Sequence, residues 1–213
     1  MPKANSETDL RVMMENDDVD HVIGDPSDFA IGYRFTGDDR FTVLSMYARD
    51  RNLLGFTEEG EHCTTRWAYL EGLVAWLKSF ADNMVNDPYP LEVEGEFAAQ
   101  KDDAAREFDS NDMKAFDAYF DLINTWAWNH TWSHESGGAV LSHMFFEYKA
   151  GMVELSWDNR DDDSHYVFDC KCGGTRVEAK TFRAVVLEFV DAYERHWGIK
   201  VDDDGTWLRK SRS

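Results

Sequence analysis

His130 and His134 stand four residues apart in Asn129-His130-Thr131-Trp132-Ser133-His134-Glu135. On a helix that spacing projects both imidazoles from one face, as a bound metal ion requires. His143 becomes a third ligand if the chain folds back at Gly137-Gly138. The order, however, is neither His-Glu-x-x-His nor His-x-x-Glu-His, so Glu135 is misplaced as the base of a zinc hydrolase. The other account is that these histidines close a helix C-terminus, where partial positive charge suits the dipole. A metal-dependent hydrolase on His130, His134 and His143 stays an alternative; the expectation is no metal and no cofactor.

Nucleophiles lack their usual surroundings. Ser136 precedes Gly137-Gly138, but there is no Gly-x-Ser-x-Gly elbow. Cys63 follows His62, yet adjacency in sequence does not bring the two side chains together. Cys170-Lys171-Cys172 has one intervening residue, too few for a zinc half-site. Cys63, Cys170 and Cys172 are three, an odd number that suits reduced thiols rather than a disulfide framework. Phosphate-cradling glycine loops are absent, and Gly173-Gly174 reads as a turn into a strand rather than a helix N-terminus.

Charge is the stronger signal. Asp and Glu number 42 against 22 Lys and Arg, for a formal net charge of −20. A field of that sign repels nucleic acid and anionic membrane surfaces, and it steers a basic protein inward. Solubility, or adaptation to a salt-rich cell, accounts for the same number. Asp161-Asp162-Asp163 and Asp202-Asp203-Asp204 are consecutive, unlike the alternating oxygens of a calcium loop. They read as solvated loops or as a docking surface for Lys and Arg. Among Trp126, Trp128 and Trp132, helical geometry puts Trp128 and Trp132 on one face and Trp126 on another, so either the helix is central or an indole is exposed. An exposed indole among acids is a binding hot spot of the expected kind. Asp161, Asp162, Asp163, Trp128, Trp132 and Glu135 are accordingly the candidate partner-binding residues.

These side chains need a scaffold, and hydrophobic residues at 43% supply a sizeable core. Residues 1–27 read as a flexible acidic arm, 28–200 as a single α+β domain, and 201–213 as a polar tail. Phe29–Phe35 and Arg40–Tyr47 pattern as paired strands about a turn at residues 36–39. Apolar residues at three- and four-residue steps predict a helix over 64–85, capped by Thr64 or Thr65. Lys101–Arg106 suggests a short helix. A second long helix runs from Ser110 or Asn111 towards Trp132. Leu141–Lys149 and Met152–Trp157, joined at Ala150-Gly151, form the clearest hairpin. A strand over His165–Cys170 and another over Arg176–Lys180 precede a last helix, capped by Thr181 and ended by Gly198.

This order predicts an α+β protein, mainly an antiparallel sheet packed against about three main helices. No apolar run reaches the length of a membrane helix and no secretory leader is visible, so the expected location is the cytoplasm. The functional expectation is an acidic stoichiometric binding protein, immunity- or antitoxin-like. It would neutralise a basic partner, such as a bacterial toxin or nuclease, without touching nucleic acid or membrane. The alternatives are the metal-dependent hydrolase above and a structural or assembly protein of a salt-adapted cell.

Overall fold

The N-terminal residues enter the fold rather than trailing from it. In the computed structural model, which describes residues 7–37, 41–68, 70–132, 140–160, 165–201 and 207–208, α1 (Glu7–Asn16) leads into β1 (His21–Asp25). β1 pairs antiparallel with β2 (Phe29–Phe35), and Val19 and Ile23 are buried. This corrects the expected arm over 1–27. Its acidic residues mask the apolar Val19 and Ile23, which are buried where β1 edges the sheet.

β2 pairs with β3 (Phe41–Ala48), the predicted partner, in the register Phe29↔Ala48 to Phe35↔Thr42. β3 turns back through Arg49-Asp50 into β4 (Arg51–Asn52). Both turn residues have positive φ, 54° and 61°, the backbone of a type I′ turn whose twist matches the flanking strands. β5 (Phe56–Glu58) and β6 (Glu61–Cys63) form a small separate hairpin. β7 (Thr65–Ala68) then lies against the other end of β3.

β7 corrects the predicted start of the first long helix. Thr64 and Thr65 do not cap it; Thr65 Oγ1 lies within donating distance of the carbonyls of Leu54 (3.3 Å) and Val140 (2.8 Å). Sheet pairing with β3 claims residues 65–68, and α2 spans Glu71–Met84. Its buried Leu73, Val74, Leu77, Ala81 and Met84 are the predicted stripe.

α3 (Ala98–Arg106) and α4 (Met113–His130) follow. The cap of α4 is Asp112, whose carboxylate accepts from the backbone N–H groups of Lys114 and Ala115 at 3.0 and 3.4 Å. The helix stops at His130, and Thr131–Trp132 is extended as β8. β8 edges the second sheet, ordered β12-β10-β9-β8, with β9 (Met144–Lys149), β10 (Met152–Asp158) and β12 (Cys172–Glu178). The β9–β10 hairpin turns at Ala150-Gly151, where φ is 52° and 83°. Gly173-Gly174 lies inside β12, opposite Trp157 and Ser156, not in the predicted turn. β11 (Tyr166–Phe168) joins β5.

α5 (Ala179–Trp197) has Glu178 rather than Thr181 at its N-cap, and Gly198, with φ 61°, follows its last residue. It packs on α2 and β2, burying Phe182, Val186, Phe189 and Tyr193. β13 (Lys200–Val201) pairs with β14 (Trp207–Leu208), so structure continues past the expected domain end at residue 200. Five helices and antiparallel pairing throughout the described strands make this an α+β fold. One large core joins the two main sheets to α2 and α5. A smaller one, from Tyr89, Ala98, Ala99, Ala105, Ile123, Trp126 and Phe145, lies beneath α3 and α4.

Side chains from the second sheet anchor α3. Phe97, at its N-cap, offers no side-chain acceptor. Glu154 Oε1 accepts from Ala98 N–H (3.1 Å) and Ser156 Oγ from Ala99 N–H (3.2 Å), so β10 satisfies the orphan donors of the helix. A carboxylate there also meets the positive end of the dipole. Lys101, one turn on, donates to both oxygens of Glu147 at 2.6 and 2.8 Å. The Phe97 ring fits over Gly174, where an added Cβ would sit 2.4 Å from Phe97 Cδ1.

Lys101→Met leaves Glu147 buried without its cation and should cost about 3–5 kcal/mol in urea unfolding. Adding Glu147→Gln should recover much of that loss. Gly174→Ala, which forces Phe97 aside, should cost about 1–3 kcal/mol in the same assay.

Candidate functional site

Two places present functional side chains. The first is a cleft of about 550 Å³ between α1 and the β3–β4 turn, lined by Val12, Met13, Asn16, Asp17, Asp50, Asn52 and His62. Asp17, just past α1, is buried, and Tyr47 of β3 donates its hydroxyl to Asp17 Oδ2 at 2.8 Å. His62 of β6 brings Nε2 to 3.0 Å from Asp17 Oδ1 and Nδ1 to 3.3 Å from Asp169 Oδ2. Gly55 makes room for this approach: a Cβ there would lie 2.6 Å from Asp169 Oδ2 and 3.2 Å from His62 Cε1.

A histidine acting as general base needs a ring nitrogen turned to the substrate. Here both nitrogens face carboxylates, so in this geometry the imidazole links α1, β6 and the segment after β11. Burial, reinforced by the neighbouring Asp17 carboxylate, pushes the Tyr47 hydroxyl far above the usual phenol range. It therefore stays protonated and serves as a donor. Cys63, adjacent to His62, points its thiol towards the carbonyl of Glu61, 3.7 Å away. Burial raises the Cys170 thiol above its ordinary range, which disfavours the thiolate.

Sequence reasoning noted His62 only beside Cys63. It missed Asp17, Tyr47 and Asp169, because their meeting depends on pairings between distant segments and leaves no local pattern.

The second place is α4. Only Ile123, Trp126 and His130 of this helix are fully buried. His130 is 1% exposed, stacks on Trp126 with ring centroids 4.4 Å apart, and has Nδ1 2.8 Å from the Trp126 carbonyl. Burial outweighs that hydrogen bond and lowers the imidazole below the usual histidine range. His143 packs its ring on Phe145 at 4.5 Å, with its backbone N–H given to Asn159. His134 and Glu135 lie outside the described residues, as do Asp161, Asp162 and Asp163. Among the described residues no group of three His, Cys, Asp or Glu is arranged to hold a metal ion.

The tryptophans divide. Trp128 is 72% exposed, on the side of α4 away from the core. Trp132 is not beside it, which corrects the expected pairing. Trp132 is 5% exposed, donates Nε1–H to the Ser142 carbonyl at 3.1 Å and meets Phe146 edge-on. Because α4 ends at His130, the helical phase that would align residues 128 and 132 is lost at β8.

No protein-family model matches the chain, and no curated protein matches it. Among solved structures it is similar to CdiI from Burkholderia dolosa AUO158, at 16% sequence identity. That alignment covers 81% of this chain and 99% of the other, with a TM-score of 0.43. No helix of the described residues is long and apolar enough to cross a membrane.

Tyr47→Phe removes a donor from a buried carboxylate and should cost about 1.5–3 kcal/mol in urea unfolding. The lowered His130 fixes a second outcome. As pH falls below about 6.5 the unfolded chain takes up this proton before the folded one does, so stability falls with pH across that window. Urea unfolding from neutral to mildly acidic pH should show a flatter profile for His130→Gln than for the natural chain.

Proposed function

We propose that this chain is a stoichiometric binding protein, of the immunity or antitoxin kind, that neutralises a basic protein acting on nucleic acid. The observation that carries this reading is where the charge resides. Buried Asp102, Glu147, Glu154 and Glu194 draw on Arg106, Lys101, Arg176, Lys78 and Lys200. Arg106, Arg176 and Lys200 reach those carboxylates from positions that stay roughly half or more exposed. With Asp17 and Glu71, six of the 42 Asp and Glu are buried among the described residues, so the excess of negative charge in the sequence is not an interior one and acts on approaching molecules.

A protein that handles nucleic acid must present Lys and Arg to phosphates. An acidic surface complements that patch, speeds encounter and occupies the site against its substrate. The same field repels nucleic acid and anionic membrane. Charge supplies speed and selectivity in such complexes, and buried aromatic anchors supply most of the strength.

The test uses a basic nuclease encoded beside this chain in its host. Nuclease activity should fall to the background at one equivalent of the chain. The association rate should drop about tenfold or more as salt is raised from low to physiological strength. Unchanged nuclease activity in excess chain, with no salt-dependent binding, would sink the reading. Loss of fold at low salt would instead support a salt-adapted structural protein.

A further inference from the structure

α4 is held from one side only. Ile123, Trp126 and His130 face the smaller core, and Trp76 Nε1 donates to the Trp128 carbonyl at 2.8 Å. On the opposite side, Met113, Asp117, Asp121, Asn124 and Trp128 recur at steps of four, four, three and four residues. At 3.6 residues per turn those steps keep all five on one narrow face. Every one of them is exposed. Met113 and Trp128 are 66% and 72% exposed, among the most exposed large apolar side chains described.

Asp117 and Asp121 make no ion pair among the described residues, unlike the carboxylates of the core and many on the surface. The single cation on the helix, Lys114, sits in the first turn, away from Asp121 and Trp128. A face built only for water has no use for an indole at 128. An indole at 128 offers a flat π-surface on the same face as two carboxylates, roughly 10 and 16 Å back along the helix axis, a spacing for separate guanidinium groups on one segment. That combination suits a segment with more than one arginine, since one guanidinium stacks on an indole and another donates in a fork to a carboxylate.

We propose that this face of α4 seats an arginine-bearing segment of the basic partner, with guanidinium groups on Trp128 and on Asp117 and Asp121. The assignment rests on the binding function proposed above and names its surface. The face is built in advance: the helix backbone is fixed by the core beneath it and by Trp76, so little order has to be created on binding. Its length, roughly 22 Å from residue 113 to residue 128 at 1.5 Å per residue, matches an extended segment of about seven residues.

The experiment titrates an oligo-arginine peptide into the isotope-labelled full chain and follows backbone and indole N–H shifts. It also measures affinity for the basic partner. Shifts should concentrate on residues 113–128, with the Trp128 indole signal, assigned from Trp128→Phe, among the largest. Trp128→Ala and the pair Asp117→Asn/Asp121→Asn should each weaken both interactions about tenfold or more. As a control, Glu188→Gln/Asp191→Asn removes the same charge from α5 and should change affinity by no more than about twofold. Natural-like unfolding curves for these surface variants check that the fold is kept.

If the control weakens binding as much as the α4 pair does, net charge is acting and the assignment of this face is overturned. Shifts that spare α4 overturn it as well. In either case the binding function stands while the natural chain still binds the basic partner. If the natural chain binds neither peptide nor partner, the functional reading falls and the surface falls with it.

Discussion

A carboxylate carried into a protein interior must find donors or it unfolds its surroundings, and this chain carries several inside. Glu147 and Glu154 lie on adjacent strands of the second sheet, opposite each other across the β9–β10 ladder. Two like charges at that separation are tolerable only because each is matched. Lys101 meets Glu147, while Arg176 and the first N–H of α3 meet Glu154. α3 is thus at once the ligand of the sheet's acids and the wall of the smaller core. Burial still raises Glu154 above the usual carboxylate range despite Arg176. The strands, α3 and, through the shared core, α4 are bound to one another by this electrostatic demand.

The same accounting recurs at the far end of the molecule. Glu194 is buried near the end of α5. Burial pushes its carboxyl upward, but donors from Lys200, the Val201 N–H and Lys78 outweigh that and hold it below the usual range. A carboxyl lowered on folding stabilises the native state above the unfolded value and loses that contribution as pH falls through the folded one. The contact fastens the segment after Gly198 back onto α2 and α5. Interior acids in this protein work as clasps between elements distant in sequence.

Elements whose signal is local were legible. The alternation of Val153, Leu155 and Trp157 around Ala150-Gly151 marked the β9–β10 hairpin, and the stripes of α2 and α5 marked their buried faces. What failed was set by distant partners. Thr65–Ala68 fits a helical stripe as well as a strand, and only the free edge of β3 decides for the strand. Gly173-Gly174 looks like a turn until Phe97, far away in sequence, needs a place without side chains. Trp132 matches Trp128 in helical phase, but the helix ends two residues too early. The three tryptophans left open whether the helix is central or an indole exposed, and only the early end of α4 separates exposed Trp128 from buried Trp132. The Asp17–His62–Asp169 contact was not, because three unremarkable positions acquire meaning only once α1, β6 and the end of β11 converge.

The hairpins have a kinetic consequence. β1 with β2, β2 with β3, β3 with β4, β5 with β6 and β9 with β10 are neighbours in sequence, several joined by two-residue turns. Such pairs close small loops, and small loops lose little chain entropy before their contacts form. The slow steps of folding are therefore the long-range closures, among them α5 onto α2 and β2, β11 onto β5, and α3 onto the acids of β9 and β10. Since the last of these joins unlike charges across some fifty residues of chain, salt should retard the late stage of folding while leaving hairpin formation almost untouched.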